Sequence, residues 1–374
     1  MGNHCTYCAD EFTDRKQVRL GDDEVEKSRS QANAYSPDKK TTAGNAETNF
    51  TTSPEEGGPD VELNQAALKI QARYRGMKVR RELTQNKVAE KPTDGEFITS
   101  VPDYSNEETR RAEEKLGQFA YDQDLPHDEE TALVKKGPFR LENGAVYIGT
   151  WLNSKRHGRG VQIWPDGAKY EGYWSNNMAN GKGRLIHADG DVYEGDWKND
   201  QAEGYGVYMH LDGAKFEGQW RDDKQDGMGK ETWPDGAHYT GEYKNGKKHG
   251  QGHFVWADGS QYEGEFMGNN IHGKGLYIWG DGRKYDGQWC DNKMHGYGTF
   301  YWNDGRVYKG EYIDDKKEGF GEFTWPSGKK YIGQWKEGKQ HGKGKYISSE
   351  DGKVREGEWC EGKRIRWFTD ADKQ

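Results

Sequence analysis

The sequence predicts a mainly β protein whose C-terminal two-thirds is an elongated, single-sheet solenoid of about ten 23-residue β-hairpin repeats. Two observations predict this fold: a repeat of 23 residues from residue 138 to about 362, and an unusual composition. Only 31% of the residues are hydrophobic and 32% are charged, yet 13% are aromatic and 52 of the 374 residues are glycine. A chain this polar cannot bury a large aliphatic core. Its core must therefore consist of aromatic rings packed on glycine backbone.

Each repeat contains an aromatic-x-Gly triplet, a second aromatic residue two positions later, and a Gly-x-Gly sequence. The triplets begin at Tyr147, Tyr170, Tyr193, Phe216, Tyr239, Tyr262, Tyr285, Tyr308 and Tyr331, and the second aromatic residues are Trp151, Trp174, Trp197, Trp220, Tyr243, Phe266, Trp289, Tyr312 and Trp335. Alternate residues of a strand share one face, so both aromatic residues and the glycine between them lie on the same side. An Asp-Gly pair, such as Asp166-Gly167, precedes most triplets and supplies the positive φ of a tight turn.

Each repeat is therefore predicted to be one hairpin, and a tenth, degenerate copy ends near Trp359. A single hairpin cannot bury its rings, so stability comes from the stacking of neighbours. At a strand spacing of about 4.8 Å, ten hairpins form a rod of about 90–100 Å.

These residues resemble the MORN repeat, in which Tyr-Glu-Gly-x-Trp is followed by a turn, then by His-Gly-x-Gly and Trp-x-Asp-Gly. The segments YEGYW at 170–174 and HGQGHFVWADG at 249–259 match it closely, while Phe216, Ser327 and Asp226 depart from it. The resemblance implies a repeat scaffold similar to MORN proteins of the protist cortex and of ciliary radial spokes.

The remainder of the chain has a different composition. Residues 1–60 are polar, lack an apolar period and are predicted to be a disordered leader. The predicted domains are this leader, an IQ-motif helix at 61–85, a linker at 86–137, the repeat rod at 138–362 and a C-terminal tail at 363–374. Within the linker a short helix is predicted to begin at Ser105, where Ser105 and Glu108 have capping-box spacing, and to end near Tyr121.

The segment IQARYRGMKVR, residues 70–80, resembles the IQ motif, which implies binding of calmodulin or a related EF-hand protein. The residues predicted to bind are Ile70, Gln71, Tyr74, Arg75, Gly76 and Arg80. Residues 69–87 contain seven Lys or Arg and one Glu, and an apolar stripe runs along the same helix. A basic amphipathic helix suits an acidic partner with an apolar groove. The alternative is that this stripe packs on the rod; calcium is expected only indirectly, through the partner.

The N-terminus fits a lipid-modification signal. Gly2 with Thr6 matches the myristoylation pattern, and Cys5 and Cys8 are candidate palmitoylation sites. A second lipid is required because one myristoyl chain binds membranes weakly, and the leader is acidic rather than polybasic. The alternatives are an unmodified tail and a metal site at His4, Cys5 and Cys8, although no second pair of ligands follows these residues.

No catalytic or metal-binding cluster is predicted, so the protein is expected to be non-enzymatic and without a cofactor. Equivalent residues of adjacent hairpins lie about 10 Å apart, too far to share one ion. The recurring histidines, His157, His249, His272, His295 and His341, are therefore interpreted as turn residues. Cys290 and Cys360 are expected to be exposed and unpaired.

Charge and cysteine content restrict the location and the partners. A net charge of −9 argues against non-specific nucleic-acid binding. Four scattered cysteines indicate an intracellular, reducing compartment. Only residues 329–366 are basic, with 11 Lys or Arg against 6 acidic residues, which suits an acidic protein or an anionic lipid.

The sequence predicts a scaffold on the cytoplasmic face of a membrane or on the cytoskeleton. In this hypothesis the IQ helix binds a calmodulin-like protein and the rod binds cytoskeletal proteins. The alternatives are a structural subunit of the ciliary axoneme, similar to radial-spoke proteins, and a phospholipid-binding regulator of a lipid kinase.

Overall fold

The computed structural model describes residues 95–121 and 132–369, all of which belong to one compact unit. These residues form one antiparallel sheet of 23 strands and one α-helix of ten residues, α1 (Glu107–Leu116). Among them, no helix has both the length and the hydropathy required to cross a membrane.

Three short strands precede the regular repeats: β1 (Gly95–Phe97), β2 (Val134–Lys135) and β3 (Phe139–Leu141). The repeats then contribute β4 (Val146–Leu152), β5 (Lys155–Ile163), β6 (Lys169–Ser175), β7 (Met178–Ile186), β8 (Val192–Lys198), β9 (Gln201–Met209), β10 (Lys215–Arg221), β11 (Lys224–Thr232), β12 (His238–Lys244), β13 (Lys247–Val255), β14 (Gln261–Met267), β15 (Asn270–Ile278), β16 (Lys284–Cys290), β17 (Lys293–Tyr301), β18 (Val307–Ile313), β19 (Lys316–Thr324), β20 (Lys330–Lys336), β21 (Lys339–Ile347), β22 (Val354–Cys360) and β23 (Lys363–Trp367).

From β3 onwards every strand pairs with its neighbour in sequence, so the chain forms a continuous meander that ends at β23. β2 pairs with the far end of β4 beside β3, and β1 pairs with β3 at the N-terminal edge. The predicted single-sheet solenoid is confirmed. The sheet also extends past the predicted limits of the repeats, since β1 lies in the segment assigned to the linker and β23 ends at Trp367.

Two kinds of turn alternate along the sheet. The Asp-Gly pairs lie in three-residue loops: Gly167 has φ 94°, its amide donates to Trp164 O, and the Asp166 carboxylate accepts from the Ala168 amide. A type I turn followed by a left-handed glycine has this form. The turn inside each repeat has two residues, both with positive φ, as at Asn176 (52°) and Asn177 (73°). The resemblance to the MORN repeat placed a turn here, but the sequence analysis did not identify its residues. Most of them are Asn, Asp or Gly, which tolerate the left-handed region, while Ser154, Glu337 and Glu361 also have positive φ.

The short helix begins later than predicted. Its N-cap is Asn106, whose side chain accepts from the Thr109 amide at 2.8 Å, while the Thr109 hydroxyl accepts from the Asn106 amide at 3.0 Å. Ser105 donates instead to Asp103. The helix ends at Leu116, since Gly117 takes a positive φ of 67°. The predicted capping residue was wrong by one position because Ser and Asn have similar N-cap preferences.

Candidate interaction surfaces of the repeat sheet

One face of the sheet, here called the aromatic face, carries the rings of the triplets. Tyr170 meets Trp174 of its own repeat at 5.1 Å and Trp197 of the next repeat at 5.3 Å, both edge to face. The same alternation continues along the sheet from Phe139 to Trp367. Edge-to-face pairs contribute about 0.5–1.5 kcal/mol each beyond their burial. This face is the core of the protein, and its rings are buried.

Two sets of glycines leave room for this packing: the triplet glycines and the second glycines of the Gly-x-Gly sequences. A Cβ on Gly160 would lie 2.4 Å from the Tyr147 hydroxyl oxygen, and one on Gly149 would lie 2.6 Å from the Gly160 Cα. The second glycine of each Gly-x-Gly therefore lies under a ring, and the triplet glycine faces its backbone. Any side chain at either position would displace the stacked aromatic rings.

Hydrogen bonds hold the rings in register. Eight of the nine triplet residues are tyrosines whose hydroxyl donates to the carbonyl three residues later, at 2.9–3.1 Å. Five tryptophans, Trp174, Trp197, Trp220, Trp289 and Trp335, donate from Nε1 to a glycine carbonyl of the preceding repeat. Burial raises the pKa of these tyrosines, to about 12 for Tyr331. Ring position is thus set by polar contacts as well as by packing.

The first glycine of each Gly-x-Gly has a different role. Gly250 has φ 61° at a β-bulge, and the Glu242 side chain folds over it to accept from the Gln251 amide at 2.9 Å. Equivalent carboxylates or amides act in the same way in neighbouring repeats. The recurring histidines precede these glycines, so they lie inside strands at bulges and the prediction that they are turn residues was wrong. In residues 95–121 and 132–369, no three His, Cys, Asp or Glu side chains are grouped to hold a metal.

A buried ion pair between the fourth and fifth repeats interrupts the aromatic core. Lys248 Nζ lies 2.7 Å from Glu231 Oε2, and both side chains are at most 4% exposed. The ammonium also lies within 5.7 Å of four rings, those of Trp233, Tyr239, Tyr243 and Phe254. Tyr243 donates to the same carboxylate oxygen at 2.9 Å. These contacts compensate the cost of burying both charges.

The other face of the sheet, here called the opposite face, carries the residues that alternate with the rings. α1 packs on this face. Its Ala112 and Leu116 form a small apolar cluster with Ile186 and Val192 of the sheet, which are 1% and 3% exposed. Lys169 binds Glu113 at 2.8 Å. Burial alone would lower the pKa of Lys169, but hydrogen bonds to Glu113 and Glu171 raise it above its usual value.

The C-terminus of α1 is also fixed by a side chain of the sheet. Arg184 donates to the Gly117 carbonyl at 2.8 Å and to Glu194 at 2.7 Å, and its guanidinium lies 5.5 Å from the Phe119 ring. A cation at this end of a helix also opposes the partial negative charge of the helix terminus. We define the α1 site as Lys169, Arg184, Ile186, Val192 and Glu194.

The residues predicted to bind calmodulin, from Ile70 to Arg80, and the lipidation residues Gly2, Cys5 and Cys8 lie outside the described residues. Of the other two cysteines, Cys360 is exposed as predicted, whereas Cys290 is half-buried; neither forms a disulfide. The sequence analysis did not find the α1 site, whose residues lie on three strands and have no shared motif.

A family model of the MORN repeat matches nine segments of the chain. They are residues 147–169, 170–192, 193–215, 216–238, 239–261, 262–282, 285–305, 308–330 and 331–352. The chain belongs to the MORN-repeat family. A model of the IQ calmodulin-binding motif also matches residues 64–84. MORN and IQ segments are typically binding or scaffold modules.

No curated protein matches the sequence. Among solved structures, the chain is similar to the TCP10 domain of Danio rerio CPAP in complex with a STIL peptide, at 14% identity and a TM-score of 0.35, with 63% of this chain and 98% of that chain covered. The TCP domain of Drosophila melanogaster SAS-4 with a proline-rich motif of Ana2 matches at 12% identity and a TM-score of 0.24, covering 59% and 99% of the two chains. At these TM-scores the similarity carries no functional argument.

Proposed function

We propose that this MORN-repeat protein is a non-enzymatic scaffold in which an IQ helix binds a calmodulin-like protein and the repeat sheet binds partner proteins. The observation that carries the proposal is the presence of an IQ motif, residues 64–84, and nine MORN repeats in one chain. The fold supports it, because the aromatic face is occupied by its own rings, whereas in residues 95–121 and 132–369 no helix other than α1 packs on the opposite face.

The location of the scaffold follows from the N-terminus. With Gly2 myristoylated and Cys5 and Cys8 palmitoylated, two lipid signals would anchor the chain stably at the cytoplasmic face of a membrane. The repeat sheet would then connect that membrane to cytoskeletal proteins.

Calorimetry of calmodulin binding to the full chain, with and without calcium, tests the IQ assignment. We expect the double variant Ile70→Ala with Arg75→Ala to lose several kcal/mol of binding, since a buried anchor commonly contributes about 2 kcal/mol or more. Lys87→Ala, a basic residue outside the motif, is the matched control and should bind nearly as well as the wild type. Unchanged affinity in the double variant would disprove the assignment.

A further inference from the structure

The α1 site recurs at the other end of the repeat sheet. Lys330, Lys345 and Ile347 stand seven repeats after Lys169, Arg184 and Ile186. The loop at 348–353 is one residue longer than its counterpart, and the register places Val354 opposite Ile347 and Glu356 opposite Lys345. In the α1 site Val192 faces Ile186 and Glu194 faces Arg184 in the same way.

The side chains of the two sites also make corresponding contacts. Lys345 binds Glu356 at 3.1 Å, as Arg184 binds Glu194 at 2.7 Å. Lys330 binds one carboxylate of the sheet, Glu322, at 2.7 Å. Lys169 binds a carboxylate of the sheet at another position, Glu171, at 2.9 Å, in addition to Glu113 of α1. Ile332 stands at the position of Glu171 in the second site. The intervening repeats do not have all five residue types: the one beginning at Lys284, for example, has Thr299 and Lys309 in place of Arg184 and Glu194.

The two sites differ in what covers them. Val192 is 3% exposed beneath α1, whereas Val354 is 54% exposed. The described residues place no helix over Ile347 and Val354, and Lys345 is exposed. Within the described part of the chain, the C-terminal repeats therefore present a surface that has the layout of a helix-binding site but carries no helix.

We infer that Lys330, Lys345, Ile347, Val354 and Glu356 form a second helix-docking site, here called the C-terminal site, which binds an acidic amphipathic helix of a partner protein. The contacts of α1 indicate how such a helix would bind. Small apolar side chains would cover Ile347 and Val354, a carboxylate in the position of Glu113 would meet Lys330, and the C-terminal carbonyls of the helix would meet Lys345. Residues 329–366 have a net charge of +5, which favours an acidic helix. This inference deepens the proposed scaffold function and rests on it.

The test uses the full chain and, as the probe, a fluorescent peptide of residues 104–121, which carries the sequence of α1. Fluorescence anisotropy should show saturable binding to the wild type and to Lys169→Glu, which alters the α1 site alone. The double variant Lys330→Glu with Lys345→Glu should weaken binding at least tenfold. Lys336→Glu with Lys363→Glu makes the same charge change at the same end, outside the C-terminal site, and should bind within about twofold of the wild type.

Four outcomes would overturn the inference. These are absence of saturable peptide binding, an equal loss in both double variants, binding of anionic vesicles in place of the peptide at the same lysines, and self-association of the chain that Lys330→Glu with Lys345→Glu abolishes. The last would identify a second copy of the chain as the occupant. Because calmodulin binding is measured at residues 64–84, failure of the IQ assignment would leave the peptide result intact, and the two failures are distinguishable.

Discussion

Phe216 is the one triplet residue that lacks a hydroxyl. In the eight other triplets the tyrosine donates to the carbonyl three residues later, and the corresponding acceptor here is Gln219 O. We expect Phe216→Tyr to stabilise the protein by about 0.5–1.5 kcal/mol, the usual net contribution of one hydrogen bond. Urea unfolding would measure this. Tyr239→Phe should lose a similar amount, and destabilisation by Phe216→Tyr would show that this ring position differs from the others.

The buried pair of Lys248 and Glu231 provides a second test at the scale of residues. The next repeat has Ile271 and Phe254 at the same positions, so the repeat itself suggests an apolar replacement. Lys248→Ile alone should cost about 3–5 kcal/mol, because it leaves Glu231 buried without its counter-ion. Lys248→Ile with Glu231→Phe should be nearly neutral or stabilising. Thermal unfolding of the three proteins checks this order, and a double variant as unstable as the single one would contradict it.

At the scale of the element, each hairpin depends on the close approach of two glycines. A Cβ on Gly218 would lie 2.5 Å from the Gly229 Cα and 2.9 Å from the Phe216 ring. Gly218→Val should therefore cost ~1–3 kcal/mol through overpacking, despite the strand propensity of valine. Thr240→Val, at an exposed strand position, is the control and should be nearly neutral.

The damage from Gly218→Val should remain local, because each hairpin contacts only its neighbours. We expect hydrogen exchange to rise in the third to fifth repeats, while the terminal repeats stay protected. A single cooperative loss of protection along the whole sheet would mean that the hairpins do not act as nearest-neighbour units.

At the scale of the whole molecule, membrane attachment should depend on both lipid signals. Gly2→Ala should move the protein to the soluble fraction, because the cysteines are then not brought to the membrane for acylation. Cys5→Ser with Cys8→Ser should leave only weak, reversible binding through one chain. Cys360→Ser, which changes an exposed cysteine of the repeat sheet, is the matched control. Fractionation that finds the Gly2→Ala protein on membranes would indicate attachment through another protein.

The repeat unit could be predicted from the sequence because its determinants are local. Tyr170, Gly172 and Trp174 alternate within one strand, and their parity alone places them on one face. The turn inside each repeat was expected from the MORN resemblance, but its residues were not identified, although Asn176-Asn177 is a pair that favours positive φ. The capping residue of α1 was misplaced because Ser105 and Asn106 are both good N-caps, and the choice depended on hydrogen bonds between Asn106 and the loops at Asp166 and Ala188.

The sequence by itself determined the period, the hairpins, the aromatic face and the family, because each depends on residues a few positions apart. Only the tertiary structure decided which part of the opposite face is covered. Glu113 and Lys169 are 56 residues apart, and Gly117 and Arg184 are 67 apart, so no local pattern predicts their contacts. The likeness between the α1 site and the C-terminal site emerged for the same reason. The five residues of each site lie on three strands, and they form a surface only when the strands pair in register.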